Sequence, residues 1–225
     1  MEERKKSLYF EAATMPASGA WAEKRRLAAA LRMMIDRLVV SEAPEEQLGR
    51  AADAAERFAE SLAEHPRRQR LWGFAESANA GDVGAFFDQS PLIGLSNALS
   101  PPMTLEARAG RVHGEVCFGF AYEGPPGHVH GGFVAAAFDE VLGFTQSLTG
   151  NPGMTASLTV RYRRPTPLHV TLRFEAGVDR VEGRKIYASG SVSVDGTVTA
   201  EAEALFISVD AERFQALLEQ TRTRE

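Results

Sequence analysis

The chain has 225 residues, with 25 basic against 30 acidic side chains and a net charge of −5. Its 44% hydrophobic and 24% charged content excludes disordered and collagen-like classes, and no apolar run approaches the roughly 18–20 residues that cross a bilayer as a helix. The acidic balance argues against a general nucleic-acid binder, and the single cysteine, Cys117, excludes an intrachain disulfide framework and a multi-cysteine zinc cluster.

The charged start, Met-Glu-Glu-Arg-Lys-Lys, lacks the apolar core of a secretory signal, so a reducing cytoplasm is the expected setting. Leu27, Leu31, Met34, Ile35 and Leu38 recur at three- and four-residue steps and predict a helix with one apolar stripe. After a break at residues 41–44, Leu48, Ala52, Ala55, Phe58 and Leu62 predict a second helix that ends near His65-Pro66. Together they read as a helical hairpin laid on a larger body, a 1–66 extension. Prolines and glycines punctuate residues 67–109, which read as a connector with one short helix near Phe86-Phe87.

From residue 110 the pattern changes. A strand-like stretch holds Val112, Val116, Phe118 and Phe120 and stops at Gly124-Pro125-Pro126-Gly127. Phe133, Val134, Ala137, Phe138, Val141, Leu142 and Phe144 then form a helix too apolar for a surface element. Strands are expected at 155–163, 170–181, 185–194 and 197–209, with a hairpin turn at Asp195-Gly196. The layout is α+β: an antiparallel sheet wrapped around a helix over 110–209, with 210–225 a tail or short helix.

Chemistry concentrates where that helix begins. His128-Val129-His130-Gly131-Gly132 follows the Pro-Pro-Gly loop, and two glycines at a helix N-terminus leave backbone N–H groups open to an oxyanion or phosphate. Asp139 lies nine residues after His130, about 2.5 turns, so the two do not project from one side of the helix. A carboxylate on a buried helix is costly unless it is paired or used. His128 and His130 have no third His or Cys at metal-ligand spacing, so no metal centre is expected. Cys117 reads as a small packed hydrophobe. Seven basic residues stand between positions 161 and 185 against three acidic ones, so this segment carries +4. It fits either a solvated strand face or a site for a small polyanion.

His130-Gly131-Gly132, Asp139 nine residues after the histidine, Thr155 sixteen after the acid, Tyr162-Arg163-Arg164-Pro165 and Val181-Glu182-Gly183-Arg184-Lys185 together resemble the hotdog-fold acyl-CoA thioesterases. That group includes the phenylacetate-pathway enzymes and the human thioesterase-superfamily members. The resemblance covers about residues 110–209. It implies a hotdog fold and hydrolysis of an acyl-CoA to the free acid and coenzyme A. It implies that the Gly131 N–H polarises the thioester carbonyl, and that Asp139 activates water as general base or attacks directly. Thr155 would orient the water or the carboxylate, and His130 would brace the loop. Arg184 and Lys185 would contact the nucleotide part of coenzyme A, with Arg161 beside the pantetheine. No cofactor is implied, since coenzyme A arrives as part of the substrate, and a homodimer or a dimer of dimers is.

One departure stands out. Some relatives carry asparagine six residues before the histidine, where this chain has Gly124. The acyl pocket is expected along Phe133, Ala137 and Phe138 of the helix, together with the subunit interface. Two other functions compete: a hotdog hydratase or dehydratase on hydroxyacyl thioesters, and a non-enzymatic acyl-CoA sensor or scaffold whose extra helices bind a partner.

Overall fold

The structure, a computed structural model, describes residues 17–66, 88–151 and 153–208. The short helix expected near Phe86-Phe87 and the tail expected at 210–225 lie outside the described residues. Helix α1 spans Gly19–Val39 and α2 spans Glu45–Ala63. Strands β1 (Thr104–Arg108) and β2 (Arg111–Cys117) follow, then a 3-10 turn at Phe120–Tyr122 and helix α3 (Gly131–Ser147). Strands β3 (Gly153–Tyr162), β4 (Thr171–Glu182), β5 (Lys185–Val194) and β6 (Thr197–Ser208) complete one antiparallel sheet in the order β1-β2-β4-β5-β6-β3. This is the hotdog arrangement, with α3 laid across one face of the sheet. The sheet begins at Thr104, inside the stretch read as connector, because a five-residue strand with one turn to its partner gives little periodicity to see.

Helix α3 is held by its apolar surface. Val134, Ala137, Phe138, Val141 and Leu142 are fully buried. They meet the inward side chains of the sheet, among them Val112, Leu172, Phe174, Ile186, Val192 and Phe206. The Phe138 and Phe174 rings pack edge to face at 5.1 Å. Burial of each such side chain stabilises the fold by about 1.5–3 kcal/mol. Ala188, Ala200, Ala202 and Ala204 keep the centre of the sheet low enough for the helix to settle on it.

The N-terminal helices differ from the expected hairpin. Only Ala28 of α1 is buried, and α2 buries none of its residues. Met34, Leu38, Phe58 and Leu62, expected as packing surface, are exposed. Polar contacts dock α1 instead. Arg25 binds the buried carboxylate of Asp88 through Nε at 2.8 Å and Nη2 at 2.6 Å, and Trp21 Nε1 donates to the same carboxylate. Arg32 donates to the Asn97 carbonyl at 2.7 Å, and Asp36 accepts the Ala121 N–H at 3.2 Å. Gly119 makes the last approach possible, since a Cβ there would stand 2.2 Å from Asp36 Oδ1. No helix among the described residues is long and apolar enough to cross a membrane.

Candidate active site

The loop before α3 is rigidly closed. Gly124 N–H donates to the His128 carbonyl at 2.9 Å, and Gly127, at φ 75°, donates to Glu123 Oε1 at 2.6 Å. Val129 N–H reaches the Thr166 carbonyl at 2.8 Å, and His130 N–H reaches the Tyr122 carbonyl at 2.9 Å. A Cβ at Gly124 would sit 2.7 Å from His130 Cα, so this loop has no room for the asparagine that some relatives carry there.

His130 caps α3. Its Nδ1 accepts the Gly132 N–H at 3.0 Å. The carbonyl of the same peptide unit, that of Gly131, accepts from the Tyr162 hydroxyl at 2.8 Å. One peptide plane is thus held at both ends, from the loop and from β3. The Gly131 N–H, first in the helix, has no acceptor among the described residues. It points out of a helix N-terminus, where the dipole adds partial positive charge. The Tyr162 ring lies 3.3 Å from where a Gly131 Cβ would be, so glycine lets the ring approach closely and a larger residue would shift it by a few tenths of an ångström.

Asp139 lies two turns further along. It was expected on a buried helix; it is exposed. The reason is a stripe of small residues: Gly132 and Asp139 are exposed and Ala135 and Ala136 half-buried, at helical spacing, on the side of α3 away from the sheet's core. Thr155 Oγ1 donates to Asp139 Oδ1 at 3.0 Å, so sequence neighbours sixteen apart meet on one surface. Thr155 reaches it because β3 carries one extra residue. Thr155 is paired with Phe206 and Ser157 with Leu205, leaving Ala156 as a bulge. Sequence reasoning missed this bulge and the Tyr162 hydroxyl bond; no periodicity announces either.

Glu140, next to Asp139, is half-buried and has a carboxyl pushed up to about 7, chiefly by burial. A hydrogen bond from Ser90 Oγ to Oε1 at 3.4 Å works against that shift, and the nearby Asp139 carboxylate adds to it. Two other expectations fail. Ala137 and Phe138 lie in the core at 0% exposure and cannot line a pocket. Cys117 is exposed, because alternation along β2 turns Val116 inward and its neighbour outward.

The run of basic residues is not a patch of free charge. Arg161 pairs with Glu203 at 2.5 Å, Arg163 with Glu201 at 2.7 Å and Arg173 with Glu115 at 3.1 Å. Arg180 pairs with Glu182 at 2.8 Å. Arg184 Nε donates to the Ser208 carbonyl at 3.0 Å, and Lys185 has no ion pair among the described residues. Lys185 stands in register with Ile207, as does Met154, so it lies two strands from the end of β3 that carries Thr155, about 10 Å away. Arg161 faces the opposite side of the sheet from Thr155.

Comparison with known proteins gives the family. Residues 126–201 match the thioesterase superfamily model. The acyl-coenzyme A thioesterase THEM4 of Bos taurus is 42% identical over 93 residues, which cover 40% of this chain and 38% of that protein. The acyl-coenzyme A thioesterase THEM5 of Homo sapiens is 33% identical over 92 residues, 40% of this chain and 37% of that protein. The chain thus spans less than two-fifths of the length of these curated relatives. A crystal structure of a thioesterase superfamily protein superposes with a TM-score of 0.75 at 36% identity, covering 86% of this chain and 97% of that one. With nearly the whole of that structure matched at this identity, the chain belongs to the thioesterase superfamily.

Proposed function

We propose that this protein hydrolyses an acyl-CoA thioester to the free acid and coenzyme A. The observation that carries the reading is the Thr155 hydroxyl held 3.0 Å from the exposed Asp139 carboxylate, on the helix whose first N–H is left open. The Gly131 N–H receives the thioester oxygen as negative charge develops there. Asp139 takes a proton from a water oriented by Thr155, the water oxygen bonds to the carbonyl carbon, and collapse of the adduct expels coenzyme A as the thiol, which recovers the proton. Direct attack by the carboxylate, giving an acyl-enzyme that water then cleaves, uses the same groups. His130 holds the Gly131–Gly132 peptide and takes no proton. Coenzyme A enters only as part of the substrate, and Lys185 and Arg184 are suited to its phosphates. Arg161 would have to leave Glu203 to join them.

The reading includes a homodimer. Gly131 and Asp139 are separated by eight helical residues, about 12 Å, too far to act on one carbonyl carbon. Strand β3 is an edge strand, with Tyr162 against Gly131 at one end and Thr155 against Asp139 at the other. Antiparallel pairing of β3 with a second copy, setting Tyr162 opposite the partner's Thr155, brings the partner's Asp139 to Gly131. The single cysteine suits a reducing, cytoplasmic setting.

The test is thiol release from a panel of acyl-CoAs. Asp139→Asn should lower kcat by about 10²–10⁴-fold, and Gly131→Pro, which deletes one N–H at a position where proline suits a helix, should do so by about 10²–10³-fold. Co-expressed as mixed dimers, the two variants should regain activity, because one site per dimer is then complete. Thiol release from no acyl-CoA overturns the hydrolase reading, full activity in Asp139→Asn overturns the role given to Asp139, and no regain in the mixture overturns the shared site. Turnover of crotonyl-CoA without thiol release would instead mark a hydratase.

A further inference from the structure

A cleft of about 330 Å³ opens between α1 and the rest of the fold. Met33 and Ile35 of α1 line one side, Leu99 and Pro101 line another, and Tyr122 and Phe133 join it to the start of α3. Its charged side chains and its hydroxyl are already engaged. Arg32 donates to the Asn97 and Leu95 carbonyls at 2.7 and 3.3 Å, Asp36 accepts the Ala121 N–H, and the Tyr122 hydroxyl donates to the Leu99 carbonyl at 2.9 Å. What remains for a ligand is apolar apart from the Cys117 thiol.

The cleft ends at Phe133, in the first turn of α3, the turn that carries the candidate oxyanion donor. Phe133 is the second residue after Gly131, its ring meets that of Tyr122 edge-on at 4.9 Å, and the Tyr122 carbonyl holds the His130 N–H. Resting on the thioesterase reading, we infer that this cleft receives the acyl group of the substrate, an apolar and uncharged chain or ring, and that α1 selects which acyl groups fit. The helix stripe expected to form that pocket is sealed in the core at Ala137 and Phe138, so the acyl group has to lie elsewhere. The volume is at the small end of ligand pockets, enough for one chain or ring. An N-terminal helix held mainly by polar contacts then serves as a wall that contributes little to the core and much to specificity.

The experiment uses the full chain with straight-chain acyl-CoAs of increasing length. In the parent, kcat/KM should rise about fourfold for each methylene until the cleft is filled. Ile35→Trp and Leu99→Trp, which narrow it from opposite sides, should each lower the ratio of decanoyl-CoA to butanoyl-CoA kcat/KM at least about tenfold. Met34→Trp, on the same helix but outside the cleft, should leave the ratio as it is. Calorimetric binding of S-decyl- and S-methyl-coenzyme A, thioethers that cannot be hydrolysed, should show the same preference and the same losses. Thiol release with an unaltered length profile in both narrowed variants overturns the inference and leaves the hydrolase standing. Decyl-selective binding that Ile35→Trp abolishes, in a protein that releases no thiol, upholds the cleft and overturns the hydrolase.

Discussion

Thr155 and Arg161 are six positions apart on one strand, yet they face opposite sides of the sheet. Thr155 meets Asp139 of α3, and Arg161 pairs with Glu203 on the outer face. Strict alternation would put them on the same side. The bulge at Ala156 reverses the alternation for the residues before it, and the hydroxyl turns inward.

Deleting Ala156 should therefore leave Thr155 opposite Phe206 and facing α3, now in a regular strand. Activity should fall by less than the about 10²-fold that a 1 Å misplacement costs. Steady-state thiol release checks this against Thr155→Ala. An equal loss in the two variants would mean that the kink itself, and not the facing alone, positions the hydroxyl.

Tyr162→Phe removes the hydroxyl bond to the Gly131 carbonyl and keeps the ring. A lost hydrogen bond of this kind is worth about 0.5–1.5 kcal/mol, a factor of about 2–12. The loss should fall on kcat with KM little changed, and the Gly132 amide resonance should shift because its peptide unit loses one anchor. A change in KM alone would assign the hydroxyl to substrate binding.

Gly124→Asn tests why this chain lacks the amide of some relatives. The new Cβ would press to 2.7 Å from His130 Cα, a backbone atom that cannot swing away. Thermal unfolding should show destabilisation of about 1–3 kcal/mol, with loss of activity as the helix start moves. A gain in rate at unchanged stability would contradict the loop geometry.

Glu140 gives a pH signature. An unfolded glutamate ionises near 4.5, whereas the folded carboxyl holds its proton to about 7. Its favourable contribution is complete below pH 4.5 and is lost as the pH rises through about 7. Glu140→Gln should match the parent protein near pH 4.5 and exceed it by up to about 3 kcal/mol at pH 8. Denaturant unfolding at the two pH values decides. An equal difference at both would show that Glu140 ionises normally.

The elements that sequence makes plain are those with dense, regular signals. Strand β5 runs from Lys185 to Val194, as its β-branched pattern and flanking turns require, and α3 is unmistakable from its apolar run. What stayed hidden depends on partners distant in sequence. The basic segment loses its charge to Glu115, Glu201 and Glu203, which come from other strands and escape any local count. Asp139 proved exposed because glycine and alanines along its stripe look like core residues on paper. The helices α1 and α2 show correct periodicity, but periodicity cannot say what covers a stripe, and among the described residues most of both stripes is exposed.

The two borders of the sheet are unequal. Strand β1 offers five residues, β3 ten. A long unpaired border invites the addition of further strands, and a very short one resists it. Pairing of two copies through β3 would consume both long borders at once and leave only the short ones at the ends of a continuous twelve-stranded sheet. Such an assembly is self-terminating: the step that completes the proposed catalytic surface also removes the template on which a fibre would grow.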